Sequence, residues 1–205
     1  MSIQVEHLSK LYKQQKAIDD LNFNINSGEI VGFLGPNGAG KTTSFYMMVG
    51  MVKPTSGRVF MDSRDITSLA MYKRACLGMS YLPQEASIFR KLSVEDNIMA
   101  ILEMTKLTKI QRQEKLEKLL QEFSLTHVRK NLGNRLSGGE KRRTEIARAL
   151  ATDPKFVLLD EPFSALDAAL RGDLRADVID LLRKSNTTAI LVTHDREEAL
   201  VSADV

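Results

Sequence analysis

The feature that most constrains this chain is a glycine-rich loop at residues 35–42, which reads GPNGAGKT. It follows a mostly apolar run, EIVGFL, and precedes a helix that we predict from about Lys41 to Met51. Glycines let consecutive backbone N–H groups curl around phosphate oxygens, and the positive end of the following helix attracts the same anion. In this pattern Lys41 reaches the β- and γ-phosphates, and the Thr42 hydroxyl can bind Mg²⁺. The loop therefore predicts a nucleotide phosphate site between a strand and a helix.

Two adjacent carboxylates, Asp160 and Glu161, come directly after the apolar run FVLL. A phosphate loop is normally accompanied by an acidic residue at a strand end that holds the metal ion, and Asp160 fits that position. Glu161 is not needed for magnesium but could polarise an attacking water as a general base. The alternative interpretation is an ordinary strand end followed by a polar turn that Pro162 closes.

A second anion site is predicted where LSGGE, residues 136–140, starts a helix that runs to about Ala151. Ser137, Gly138 and Gly139 offer backbone N–H groups at that helix N-terminus. Taken alone, the string is also simply a good helix start with Ser137 as its N-cap.

The remaining patterns indicate an α/β fold with a mixed sheet core. Short alternating strands in the first thirty residues favour an antiparallel sheet. The runs FVLL and AILVT (residues 189–193) follow helical segments and resemble buried parallel strands. Before these two runs, residues from about 94 to 132 are mainly helical; Thr108 and Gln111 form a capping-box pattern there. We expect a core at 1–85 and 133–205, with residues 86–132 inserted as a helical lobe.

Composition and charge argue against a nucleic-acid-binding protein and against a membrane-spanning segment. The chain of 205 residues has 29 Lys+Arg against 26 Asp+Glu, spread along its length, which gives no basic pole for nucleic acid. Its longest apolar run, residues 45–52, is far shorter than the roughly 18–20 residues that span a bilayer. The single cysteine, Cys76, cannot form an internal disulfide, which fits a reducing cytoplasm.

In this order, the phosphate loop, LSGGE and the strand followed by Asp-Glu resemble the nucleotide-binding domain of ATP-binding cassette (ABC) ATPases. The resemblance covers essentially the whole chain. It implies a P-loop NTPase fold of the ABC type with a RecA-like core, and ATP and Mg²⁺ as ligands. It also implies a homodimer in which the phosphate loop of one protomer faces LSGGE of the other, so that ATP is clamped between them. Transmembrane transporter subunits would be the further partners, on the inner face of the cytoplasmic membrane.

The resemblance also implies roles for individual residues. The ATP-binding set is Tyr12, Gly35, Pro36, Asn37, Gly38, Ala39, Gly40, Lys41, Thr42, Thr43, Ser137, Gly138 and Gly139. The metal-binding set is Thr42, Gln84 and Asp160. The catalytic set is Glu161 as base, His194 at the γ-phosphate and the water, Lys41, and Gln84. Asp167 would help to join the protomers, and the segment with Phe89, Arg90 and Lys91 would contact the membrane partner. Without the resemblance, Tyr12 is as well explained as a surface tyrosine as it is as an adenine-stacking residue. A lone histidine such as His194 is more often structural than catalytic.

Segments between the motifs resemble different branches of the family. Residues 1 to about 43 resemble gliding-motility and related export ATPases, and residues from about 44 to 162 resemble a lipopolysaccharide-export ATPase. From Phe163 onward, the chain resembles importers of the ferric-iron and spermidine type. We therefore expect an engineered mosaic of distinct ABC ATPases, with a divergent natural relative as the alternative. The resemblance implies an ATP-hydrolysing subunit that powers export, of lipopolysaccharide if the central segment decides. The alternative function is a chimeric or truncated domain that folds and binds nucleotide but has little or no coupled transport activity. Family members normally continue beyond the histidine through another strand and a helix, so we also expect a shortened cassette with a partly unpaired sheet neighbour.

Overall fold

The computed structural model describes residues 1–13, 15–36, 38–164 and 166–204. In chain order the strands are β1 (Ile3–Tyr12), β2 (Gln15–Ile25), β3 (Ile30–Leu34), β4 (Ser56–Met61), β5 (Arg64–Asp65), β6 (Met79–Leu82), β7 (Phe156–Asp160) and β8 (Thr188–Thr193). The α-helices are α1 (Lys41–Val49), α2 (Met71–Cys76), α3 (Val94–Leu102), α4 (Lys109–Glu122), α5 (Gly138–Leu150), α6 (Ala168–Lys184) and α7 (Arg196–Ser202). Short 3₁₀ turns cover Thr126–Val128 and Gly133–Arg135.

The strands form two four-stranded sheets. One is antiparallel in the order β2-β1-β4-β5, and the other is parallel in the order β3-β8-β7-β6. The predicted α/β fold with N-terminal antiparallel strands is confirmed. Sequence patterns did not predict β4, β5, β6, α2 or α7, all of which are short elements with little periodicity of their own.

The parallel sheet separates two hydrophobic cores. Along β7, Phe156 and Leu158 pack with α1 and the antiparallel sheet, while Val157 and Leu159 pack with the helices on the opposite face. This alternation follows from the two-residue period of a strand. It explains why FVLL is apolar throughout: both of its faces are covered.

Residues 86–132 contain α3, α4 and one 3₁₀ turn, in agreement with the helical character that we predicted for them. Helix α4 begins with the expected capping box, in which the Thr108 side chain accepts from the Gln111 N–H. Leu116, Leu119 and Leu120 are buried on its inner face. That this region is a separate lobe stays a prediction.

The carboxyl ends of β3, β8 and β7 lie side by side in that order, and the glycine-rich loop follows β3 at this end of the sheet. Strand β3 is an edge strand, with β8 as its one ladder partner among the described residues. Beyond that ladder, the Asp204 N–H donates to the Ile30 carbonyl at 2.7 Å, and the Ile30 N–H donates to Asp204 Oδ2 at 3.0 Å. Among the described residues, no helix has the length and apolarity to cross a bilayer.

Candidate nucleotide-binding and catalytic site

The glycine-rich loop adopts a backbone that demands glycine at two positions. Gly38 and Gly40 have φ values of +85° and +82°, in the left-handed region that other residues rarely adopt. Gly40 also touches β2, since a Cβ placed there would lie 2.7 Å from the Ala17 carbonyl oxygen. The loop is thus shaped by its glycines and seated against the antiparallel sheet.

Helix α1 points its N-terminus into this loop. The first intrahelical bond runs from the Ser44 N–H to the Gly40 carbonyl at 2.9 Å, so the N–H groups of the preceding turn lack intrahelical acceptors. Its N-cap residue, Gly40, has no side chain that could cap this end. Lys41 is 7% exposed, and its ammonium donates to the carbonyls of Gly35 and, at 3.1 Å, Pro36. Backbone donors and one buried ammonium therefore meet at one place, which suits a polyphosphate.

Asp160 and Glu161 lie at the end of β7, as predicted. Asp160 is buried, and burial together with the neighbouring Glu161 charge raises the pKa of its carboxyl. Glu161 has φ +41°, an uncommon conformation for a residue other than glycine. Its N–H donates to the Val192 carbonyl at 3.0 Å, which ties this strained residue to β8. Strain of this kind is concentrated at functional sites.

The Glu161 carboxylate brings two distant predicted residues together. Gln84 Nε2 donates to Glu161 Oε2 at 3.2 Å, and His194 Nδ1 lies 3.2 Å from Glu161 Oε1. Gln84 follows β6 and His194 follows β8, so the parallel sheet positions all three side chains. A carboxylate held by an amide and an imidazole is well placed to activate a water molecule.

These groups line one cleft of about 510 Å³. Its predicted members are Pro36, Gly38, Ala39, Gly40, Lys41, Thr42, Thr43, Gln84, Asp160, Glu161 and His194. Gln15, Lys16, Ala17 and Val192 also line it and were not predicted. Of the loop residues, Gly35 contributes its carbonyl to Lys41, and Asn37 lies outside the described residues.

Besides Gly35, four predicted site residues are absent from the lining of this cleft. Tyr12 is half-exposed at the end of β1, and the Lys10 ammonium lies 5.1 Å from its ring centroid. Its partner across the hairpin is Gln15, which does line the cleft. Ser137, Gly138 and Gly139 begin α5 and are absent from the cleft lining. Ser137 is the N-cap, as predicted, and forms a full capping box with Glu140.

Comparisons with known proteins agree with this geometry. The family model for ABC transporters matches residues 18–164. This chain belongs to the ABC transporter family.

Two curated relatives and one solved structure show how far the similarity extends. The chain is 52% identical over 196 residues to the lipopolysaccharide export system ATP-binding protein LptB of Haemophilus influenzae, covering 95% of this chain and 81% of that protein. It is 48% identical over 200 residues to LptB of Escherichia coli K12, covering 97% and 83%. The dimeric post-hydrolysis structure of the ATP-binding cassette MJ0796 bound to ADP and Pi superposes with a TM-score of 0.85 at 26% identity, covering 96% of this chain and 90% of that one. The chain is therefore an ABC ATPase homologous to LptB.

The comparisons do not support a mosaic of distinct ABC ATPases. A single relative matches 95% of the ABC chain at 52% identity, and the match runs past Phe163, where we expected a different origin. Local likeness between short motif-rich segments arises in any two branches of one family, which is why the segment-wise interpretation was misleading.

The donor set at the strand end fits a magnesium ion. Asp160, Thr42 and Gln84 supply carboxylate, hydroxyl and amide oxygens within one cleft, and Mg²⁺ uses one or two carboxylates together with substrate phosphates. A cation there would offset the burial that raises the pKa of Asp160. A metal ion held by these residues would supply positive charge to offset the charge of the nucleotide phosphates.

One residue of this ABC site that the sequence did not reveal is Arg142 on α5. It is 6% exposed and donates to the carbonyls of Pro162 at 2.6 Å and Pro83 at 3.0 Å. It also donates to Glu145 Oε2 at 3.1 Å. Arg142 thereby joins the helix that begins at LSGGE to the loops that carry Glu161 and Gln84. The only sequence signal for Arg142 was a charged residue at a position of the helix that faces the core. This signal does not predict burial, because charged residues on helices are usually solvated.

Proposed function

We propose that this chain is the ATP-hydrolysing subunit of an ABC exporter, and that the exporter moves lipopolysaccharide. The observation that carries the catalytic part is the Glu161 carboxylate, held at 3.2 Å by both Gln84 and His194 at the end of the phosphate-loop cleft. The substrate is proposed from the two LptB relatives, at 52% and 48% identity.

The roles of the residues follow from their positions. Lys41 and the N–H groups at the start of α1 hold the phosphates and favour the charge that develops on them. Glu161 accepts a proton from the attacking water, and His194 orients that water.

A homodimer supplies the second half of the site. Ser137, Gly138 and Gly139 offer N–H groups at the start of α5, but they do not line the cleft of their own chain. A partner arranged head to tail would bring them to the γ-phosphate. The structure of the ATP-binding cassette MJ0796 is dimeric, which supports a pair of chains.

The segment after Gln84 is suited to a membrane partner, which would place the protein on the cytoplasmic face of the membrane. The Phe89 side chain is 45% exposed, and the Arg148 guanidinium carbon lies 4.2 Å from its ring centroid. Asn97 fixes the Phe89 backbone, accepting its N–H at 2.9 Å and donating to its carbonyl at 3.1 Å. A rigid backbone that presents an exposed aromatic ring is typical of an interface anchor.

Hydrolysis is tested by phosphate release from Mg-ATP, together with titration of a fluorescent ATP analogue. Glu161→Gln should retain binding and lose turnover by a factor on the order of 10²–10⁴, the usual contribution of a general base. Glu114→Gln, an exposed carboxylate on α4, is the matched control and should behave as wild type. Binding without any phosphate release by the wild-type chain would make it a nucleotide-binding module instead.

Lipopolysaccharide export is tested separately, in Escherichia coli depleted of its own LptB. Growth restored by this chain, and not by Glu161→Gln, is the expected result. A chain that hydrolyses ATP in vitro but restores no growth would contradict the proposed substrate and leave the ATPase assignment intact.

A further inference from the structure

Helix α7 carries a buried carboxylate that the proposed mechanism does not use. Glu198 is 4% exposed, and burial raises the pKa of its carboxyl. Its Oε1 atom has no hydrogen-bond partner among the described residues, although it is buried. An under-satisfied buried carboxyl lowers stability, so a structural role alone gives no reason for an acid at this position.

The other carboxyl oxygen of Glu198 holds the residue that precedes His194. The Thr193 hydroxyl donates to Glu198 Oε2 and accepts from the Asp195 N–H at 3.0 Å. Thr193 is the last residue of β8 and is 1% exposed, so this hydroxyl works away from water. His194 lies in the turn from β8 to α7. The Thr193 hydroxyl bonds to both sides of this turn, to the Asp195 N–H and to the Glu198 carboxylate.

Contacts on the other side fix the same turn. Asp195 Oδ1 accepts from the N–H groups of Glu197 at 2.9 Å and Glu198 at 3.3 Å, which caps α7. Asp195 Oδ2 lies 3.8 Å from Arg171, and Arg171 donates to the Leu166 carbonyl at 2.9 Å. The turn is thus linked to the loop after Glu161. The His194 ring itself is largely exposed, and within the part of the chain that the structure describes its polar contact is with Glu161.

We propose that Glu198 is a positioning residue that directs His194 toward Glu161 through the Thr193 hydroxyl. The inference rests on the proposed ATPase function, because it concerns the same site. Loss of the Glu198 carboxyl would free the Thr193 hydroxyl, loosen the turn and misplace the imidazole, while the phosphate loop stays intact. Small misplacements of a catalytic group cost far more in turnover than in substrate binding.

The test measures kcat and KM for ATP in phosphate release, with two pairs of variants. Glu198→Ala should lower kcat by about ten-fold or more with KM changed by less than about two-fold, and Glu198→Gln, whose amide oxygen can still accept from Thr193, should recover most of kcat. Thr193→Val removes the hydroxyl and should lower kcat in the same way, whereas Thr193→Ser keeps the hydroxyl and should retain most of kcat. Both changes alter the side-chain volume little, so this pair tests the proposal even if Glu198→Ala fails to fold. Glu197→Ala, an exposed neighbour on α7, is the matched control and should match wild type.

A double variant separates positioning from general stability. In a His194→Ala background, Glu198→Ala should cause little further loss, because its effect passes through the absent imidazole. Three results would each overturn the proposal. The first is a double variant whose loss of kcat is the product of the two single losses, and the second is a rise in KM at constant kcat. The third is that Glu198→Gln and Thr193→Ser are no more active than Glu198→Ala and Thr193→Val. A wild-type chain with no turnover would instead overturn the proposed function, so the two failures are distinguishable.

Discussion

At the scale of single residues, Arg142 shows how a buried charge can hold a catalytic site together. Replacing it with Met removes the hydrogen bonds to Pro162 and Pro83 and leaves Glu145 buried without its ion-pair partner. Breaking a buried pair in this way costs about 3–5 kcal/mol, and we expect Arg142→Met to lower the free energy of unfolding by that order. Urea denaturation followed by circular dichroism measures it.

Arg143 is the matched control on the same helix. It pairs with Asp177 at 2.8 Å, but the Asp177 side chain is 42% exposed. Partly exposed pairs contribute about 0–1 kcal/mol, so Arg143→Met should shift the unfolding midpoint little. Equal losses for the two arginines would contradict the role assigned to Arg142.

At the scale of elements, two glycines with opposite surroundings test how α7 and α6 are packed. A Cβ at Gly32 on β3 would lie 3.2 Å from Ala203 Cβ, just after α7, and 3.3 Å from Ala199 Cβ on α7, so this close approach favours a glycine. Gly172 lies inside α6, and a Cβ there would meet nothing within 4 Å. We expect Gly32→Val to destabilise by about 1–3 kcal/mol through overpacking, and Gly172→Ala to stabilise by about 1 kcal/mol. Thermal melts of both variants check the signs, and a stabilised Gly32→Val would show that α7 is not seated on β3 as described.

The elements also show what the sequence could and could not predict. The phosphate loop, LSGGE and β7 were predictable because phosphate binding and full burial each demand a distinctive local pattern. The strand β6 and the helix α7 were not, because their four and seven residues acquire their structure from tertiary contacts. The link from Glu198 to Thr193 was equally invisible, since nothing local in the sequence indicates that this glutamate is buried.

At the scale of the whole molecule, the separation of LSGGE from the cleft predicts that each active site needs two chains. Lys41→Ala removes the phosphate lysine, and Ser137→Arg blocks the exposed start of α5, so each variant alone should be inactive. Mixed in equal amounts, they should regain up to about a quarter of the wild-type rate, because half of the random dimers are mixed and each mixed dimer keeps one of two sites free of both changes. If LSGGE acted within its own chain, every site would carry one defect and mixing would restore nothing. Phosphate release from the mixture, compared with each variant alone, therefore decides between a site shared across a head-to-tail dimer and a site complete in one chain.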